Sequence, residues 1–177
     1  MHELYQQIII DHGRRPRNFR KIECTEIEKS VSKILIKQVG HNPLCGDKLI
    51  LFLKIDTAEN KIIDLAFQGE GCAISMASAS LMTEAVKNLS KDAAMDLFQQ
   101  VHRLITQGPE DQTEEMLEEK LGKLAVLEGV FAYPARVKCA SLSWQTLKSC
   151  LENLWNGEAN NINNKQLDDP AVEVSTE

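Results

Sequence analysis

Three cysteines and one aspartate carry the chemistry that this sequence can do. In Asn42-Pro43-Leu44-Cys45-Gly46-Asp47 a thiol and a carboxylate stand two residues apart in a tight turn. Gly46 tolerates backbone angles that let both side chains point the same way. Such a turn can supply two metal ligands; equally, Cys45 can be a small buried hydrophobe and Asp47 a turn former. Cys72 follows in Gly69-Glu70-Gly71-Cys72-Ala73-Ile74, a bend into a helix whose N-terminal dipole favours thiolate. Cys139 opens the last helix, in Lys138-Cys139-Ala140-Ser141-Leu142-Ser143-Trp144. Cys45, Asp47, Cys72 and Cys139 together make a Cys₃Asp set, a four-coordinate site of the kind zinc accepts, in which the carboxylate is the harder and more replaceable ligand. Three thiolates and a carboxylate around a divalent cation leave a formal charge of about -2. Arg136 and Lys138 flank Cys139 and read as counter-charges able to hydrogen-bond sulfur, or as ordinary surface charge.

The other candidates are weaker. Cys150 lies eleven residues after Cys139, on the same helix face but about 16 Å away at 1.5 Å per residue, so it belongs to the core. Cys24 sits in a polar loop without a partner motif. His41 can be a ligand or, as a loop residue beside Asn42-Pro43, part of the turn; His102 reads as a half-buried polar residue. None of the four histidines has the context of a base for a Cys/His protease. Ile74 stands where GxGxxG requires its third glycine, so a nucleotide loop is discounted.

The elements that must position these residues follow from periodicity. Leu4, Tyr5, Ile8, Ile9 and His12 predict an amphipathic helix over 3–12, ended by Gly13 and Pro16. Residues 31–39, 48–56 and 61–68 predict three strands in an antiparallel meander, the second with Leu49, Leu51, Leu53 and Ile55 on one parity. A helix follows Cys72. Ser90 caps another that runs to Gln107, before Gly108-Pro109. Asp111 and Glu114, spaced like a capping box, open a helical segment striped by Leu117, Leu121 and Leu124. Gly129 to Val137 reads as a connector, and the last helix reaches about Trp155. The fold class expected is α+β: a three-stranded antiparallel sheet packed against several helices. Residues 1–155 form one domain; residues 156–177, Asn-rich and acidic, are expected to be a disordered tail.

The chain has 177 residues, 43% of them apolar, and a net charge of -6, which suits a single domain with its own core. The acidic balance argues against nucleic acid or an anionic membrane as the main partner. No apolar run approaches the roughly 20 residues of a membrane helix, and the N-terminus lacks a secretory pattern. The expected compartment is the cytoplasm, where five cysteines read as metal or thiol chemistry before disulfides. Arg14, Arg15, Arg17, Arg20 and Lys21 form a basic patch that is either a solvated helix exit or a docking surface for an acidic partner.

Asn42-Pro-x-Cys45-Gly-Asp47, Gly69-x-Gly-Cys72-x-Ile-Ser-x-Ala-Ser78 and Lys138-Cys139-x-x-Leu-x-Trp144 resemble the NifU-N/IscU-like family of iron–sulfur cluster assembly proteins, and within it the SufU branch. The resemblance covers roughly residues 1–155. Two features point to that branch: Lys138 stands where the IscU scaffold has histidine, and the interval from Cys72 to Cys139 is lengthened near residues 111–125. The resemblance implies a zinc-dependent sulfurtransferase with one zinc per chain held by Cys45, Asp47, Cys72 and Cys139. It implies Cys45 as the acceptor of persulfide sulfur from a SufS-type cysteine desulfurase, freed when a partner histidine takes over a zinc position, and delivery to the SufBCD assembly machinery. Arg136 is expected to position the freed thiolate or the incoming sulfur. Two alternatives stay open: an IscU-like scaffold on which the same residues hold a [2Fe–2S] cluster, and a structural zinc domain acting as an adaptor.

Overall fold

In a computed structural model, residues 2–23, 32–155 and 173–175 are described. Helix α1 (His2–Arg14) precedes strands β1 (Lys33–Asn42), β2 (Asp47–Asp56) and β3 (Lys61–Glu70). Helices α2 (Ala73–Val86), α3 (Lys91–Gln107) and α4 (Glu114–Leu121) follow, then a 3₁₀ segment (Gly122–Ala132), α5 (Pro134–Trp155) and a short strand β4 (Glu173–Ser175). Cys24 lies outside the described residues, as does the expected tail apart from β4.

The three predicted strands form the expected antiparallel meander. β1 pairs with β2 in a register running from Lys33↔Asp56 to Asn42↔Asp47, and β2 pairs with β3 from Lys48↔Glu70. β4 adds three residues parallel to β1, with Val39↔Glu173 and His41↔Ser175, so the sheet order is β3-β2-β1-β4. Period-two alternation sends Ile36, Leu49, Leu51, Leu53, Ile55, Leu65 and Phe67 to the helical side, where they join the main core. Leu35, Phe52 and Ala66 face the other way and pack with Ile22 in a smaller cluster.

Small residues bring the helices close to one another. α2 buries Ala77, Ser78, Ala79 and Ser80, and across this surface the Ser78 hydroxyl donates to the Ala140 carbonyl of α5 at 2.6 Å and accepts from Trp144 Nε1 at 3.1 Å. Trp144 is fully buried. Where β1 crosses α5, a Cβ on Gly40 would fall 2.2 Å from Thr146 Oγ1, so only glycine fits there.

Three sequence expectations are corrected. The helix expected near 111–125 is capped by Thr113, whose hydroxyl accepts from Met116 N, and not by Asp111; it ends at Leu121, where Gly122 takes φ +55. The connector expected over 129–137 is instead a 3₁₀ segment followed by the first turn of α5, because Pro134 suits the first helical position, where no N–H is needed. His41 belongs to β1, opposite Lys48, and not to a loop.

Candidate metal centre

The β1–β2 connection builds the first half of the site. Asn42 and Asp47 form the last rung of the pair, and between them the Gly46 N–H donates to the Asn42 carbonyl at 2.9 Å. The Asn42 side-chain oxygen accepts from Leu44 N at 3.2 Å, an Asx turn that holds the loop from within. Gly46 has φ +72, and a Cβ there would meet nothing within 4 Å. Glycine is therefore required by backbone conformation and not by crowding. The turn leaves Cys45 exposed and carries Asp47 inward, where it is 2% exposed.

β3 and α2 build the second half. Cys72 is the N-cap of α2, with extended backbone and a sulfur that accepts from Ser75 N at 3.4 Å. Its own N–H donates to Asp47 Oδ1 at 3.0 Å. Gly71 permits this approach, since a Cβ there would lie 3.1 Å from Asp47 Oδ1.

Cys139 comes from α5. It was expected at the helix N-terminus, but because α5 begins at Pro134 it lies in the second turn, where its thiol reaches back 3.5 Å to the Ala135 carbonyl. It is fully buried, and its Sγ stands 3.1 Å from Cys45 Sγ. Burial first, then the neighbouring Cys45 and Asp47 side chains, pushes the Cys139 thiol pKa well above the ordinary thiol value.

The ligand atoms of Cys45, Asp47 and Cys139 lie within 4.8 Å of one another. Bonds of about 2.0–2.3 Å to a central zinc span such distances. Asp47 Oδ2 is buried with no hydrogen-bond partner, a costly arrangement for a carboxylate unless a cation completes it. The donor set and this orphaned oxygen fit a divalent metal. Cys72 is adjacent, bound to Asp47 through its backbone, but its sulfur is outside the mutual 4.8 Å set.

The remaining candidates separate from this cluster. Cys150 is fully buried, its thiol pKa raised by burial, in keeping with a core role. His102 is half-buried and stacks on Phe98 at 5.5 Å. Arg136 is exposed in the first turn of α5, and Lys138 is half-buried. Much of the basic patch is matched within the chain: Arg17 pairs with Asp11, and Arg20 with Asp64. Asn42 is a residue that sequence reasoning passed over. It is fully buried, and its Nδ2 faces Cys139 Sγ at 4.0 Å; the signal available was only its place at the mouth of the cysteine turn.

Comparison with known proteins brings these residues together with a family. The family model described as NifU-like N terminal domain matches residues 4–140. A Streptococcus pyogenes serotype M1 protein named iron-sulfur cluster assembly scaffold protein IscU is 34% identical over 158 residues, covering 89% of each chain. The Bacillus subtilis zinc-dependent sulfurtransferase SufU is 39% identical over 145 residues, covering 82% of this chain and 87% of that one. Among solved structures, a SUF-system iron-sulfur cluster assembly scaffold protein from Fervidobacterium islandicum AW-1 superposes with a TM-score of 0.68 at 31% identity, covering 85% of this chain and 98% of that one.

Proposed function

The chain belongs to the NifU-like N terminal domain family, and from that premise we propose that it is a zinc-dependent sulfurtransferase of iron–sulfur cluster assembly. The observation that carries this reading is the graded exposure of the thiols: Cys45 exposed on a glycine-hinged turn, Cys72 half-buried at a helix cap, Cys139 buried within a helix. One thiol can leave and return while the others stay fixed. The similarity to the Bacillus subtilis sulfurtransferase supports the same reading.

Zinc would be held by Cys45, Asp47 and Cys139, with Cys72 as the fourth ligand. When bound, it holds its thiols as thiolates and neutralises part of their charge. The reaction belongs to Cys45. Its thiolate attacks the outer sulfur of a persulfide on a SufS-type cysteine desulfurase; a new S–S bond forms on Cys45, the partner's S–S bond breaks, and the electron pair leaves on the partner's thiolate. Asp47, fixed by the Cys72 N–H, keeps its place while Cys45 moves. Arg136, exposed three residues before Cys139, receives the incoming negative charge. The SufBCD machinery is the recipient of the sulfur, and the cytoplasm its compartment; no helix of the described residues is long and apolar enough to cross a membrane.

A second reading is favoured by relatives named as scaffolds: the same residues would hold a [2Fe–2S] cluster as cargo. Oxygen-free purification without added metal, followed by assay of zinc, iron and acid-labile sulfide, separates the two. Zinc near one per chain without sulfide is the expected result; stoichiometric iron and sulfide would replace the sulfurtransferase with the scaffold.

A further inference from the structure

β4 stands where the two halves of the site meet. It pairs in parallel with Val39, Gly40 and His41, the residues of β1 that lead into Asn42 and the cysteine turn. The same strand lies against α5, which carries Cys139. Gly40, opposite Val174, is also where β1 presses on α5, since a Cβ there would fall 2.2 Å from Thr146 Oγ1. β4 therefore borders both the strand that delivers Cys45 and the helix that holds Cys139. In sequence Val172, Val174 and Thr176 alternate with Glu173 and Ser175, a pattern that suits a strand. The pairing is short and parallel, the less stable kind per residue, so it opens more readily than the antiparallel meander.

We propose that β4 is an autoinhibitory strand: docked on the β1 edge, it occupies part of the surface that a protein partner must cover to reach Cys45, and the partner binds only when β4 has left. The inference rests on the sulfurtransferase reading for the partner's identity; the docking of β4 does not. A protein interface covers about 800 Å² on each side, roughly a disc of 16 Å radius. The Gly46 N–H bond to the Asn42 carbonyl folds the turn back on β1, and Ser175 stands beside His41 at one strand spacing, about 4.8 Å. By backbone spacing β4 comes within about 15 Å of Cys45. A partner whose sulfur must touch the Cys45 sulfur meets it. Because only the undocked chain binds, the partner's apparent Kd is raised by the inverse of the undocked fraction. The same fraction governs exchange of the β1 amides that β4 covers. One equilibrium thus sets two measurable ratios.

Successive N–H groups of a strand point to opposite edges, so one of Val174 and Ser175 presents its N–H to β1, and proline at both positions removes it. The double variant Val174→Pro/Ser175→Pro leaves every residue of the metal centre in place. Asn163→Pro/Asn164→Pro, outside β4, controls for proline in the C-terminal region. In full-length proteins supplied with zinc, hydrogen exchange across Val39–His41 is read by mass spectrometry, and affinity for a SufS-type cysteine desulfurase by calorimetry. Exchange elsewhere in the sheet reports that the fold is kept. The β4 variant is expected to exchange across Val39–His41 about tenfold faster and to bind about tenfold more tightly, the two ratios agreeing, while the control stays at wild type in both. Unchanged exchange, an equal rise in the control, or faster exchange with affinity unchanged or weaker overturns the inference. A desulfurase that binds neither wild type nor the β4 variant overturns the sulfurtransferase reading and with it the competition, while the exchange ratio still decides whether β4 docks.

Discussion

The backbone N–H of Cys72 donates to Asp47 Oδ1 at 3.0 Å, while Asp47 Oδ2 lies buried without a hydrogen-bond partner. One carboxylate oxygen is thus fixed by the residue that caps α2, and the carboxylate joins Cys45 and Cys139 in a group whose ligand atoms lie within 4.8 Å of one another. Without a cation this half-satisfied carboxylate costs stability, because a buried charge is compensated only when paired. With a cation the cost becomes binding energy, and binding to the folded state raises its stability.

Asp47→Asn therefore changes sign with metal. In the metal-free protein the substitution removes the uncompensated charge, and the melting temperature is expected to equal or exceed that of wild type. In zinc-saturated protein it is expected to melt below wild type, with zinc affinity reduced at least about tenfold. Calorimetry of both proteins with and without zinc measures this. A variant that melts lower by the same margin in both states would make Asp47 a purely structural residue.

Trp144 ties α5, and so Cys139, to α2, and so Cys72. Its indole N–H donates to Ser78 Oγ, which itself donates to the Ala140 carbonyl. Trp144→Ala is expected to cost about 3–5 kcal/mol, from lost apolar burial together with the cavity left behind. Ser78→Ala leaves the buried indole N–H unpaired at about 1–3 kcal/mol. Urea unfolding of the metal-free chain reads both values; a Ser78→Ala cost near zero would show that the indole finds another acceptor.

Stability should also depend on pH through His12. The side chain is buried, with Nδ1 2.8 Å from Ser80 Oγ. Burial, and then the nearby Arg17 charge, hold its pKa below the ordinary 6.5, against the opposing pull of Glu84 and Asp11. The folded state thus binds its proton less readily than the unfolded chain. The His12 contribution is fully present above pH 6.5 and is lost as pH falls through the lower folded value. Unfolding free energy measured just above and below that window is expected to fall more steeply on acidification in wild type than in His12→Asn; equal slopes would remove His12 from the account.

Much of this architecture was legible in the residues. Strict parity in Leu49, Leu51, Leu53 and Ile55 announced β2 and its buried face, and Ser90 announced the start of α3, whose Ala93 N–H it accepts. The cysteine turn was legible because Gly46 and Asp47 leave few ways to close it. What escaped was set by contacts distant in sequence. Pro134-Ala135-Arg136 reads as the end of a connector until α5 is seen to start there. Gly122 breaks a leucine stripe that on periodicity alone continues to Leu124. The Asx turn of Asn42 is local, but its approach to Cys139 spans 97 residues and leaves no pattern in the chain. The parallel pairing of β4 with β1 joins segments too far apart for any periodicity to connect them.

The central claim, that Cys45 takes sulfur from a partner's persulfide, is tested most directly by mass. The zinc-loaded protein is incubated without oxygen with a SufS-type cysteine desulfurase and cysteine, trapped with an alkylating reagent, and mapped by peptide. The account predicts the added mass of one sulfur atom on the Cys45 peptide and none in Cys45→Ala, whose fold is kept because Cys45 is exposed. Sulfur accumulating on Cys139 in wild type, or acceptance undiminished in Cys45→Ala, would contradict it.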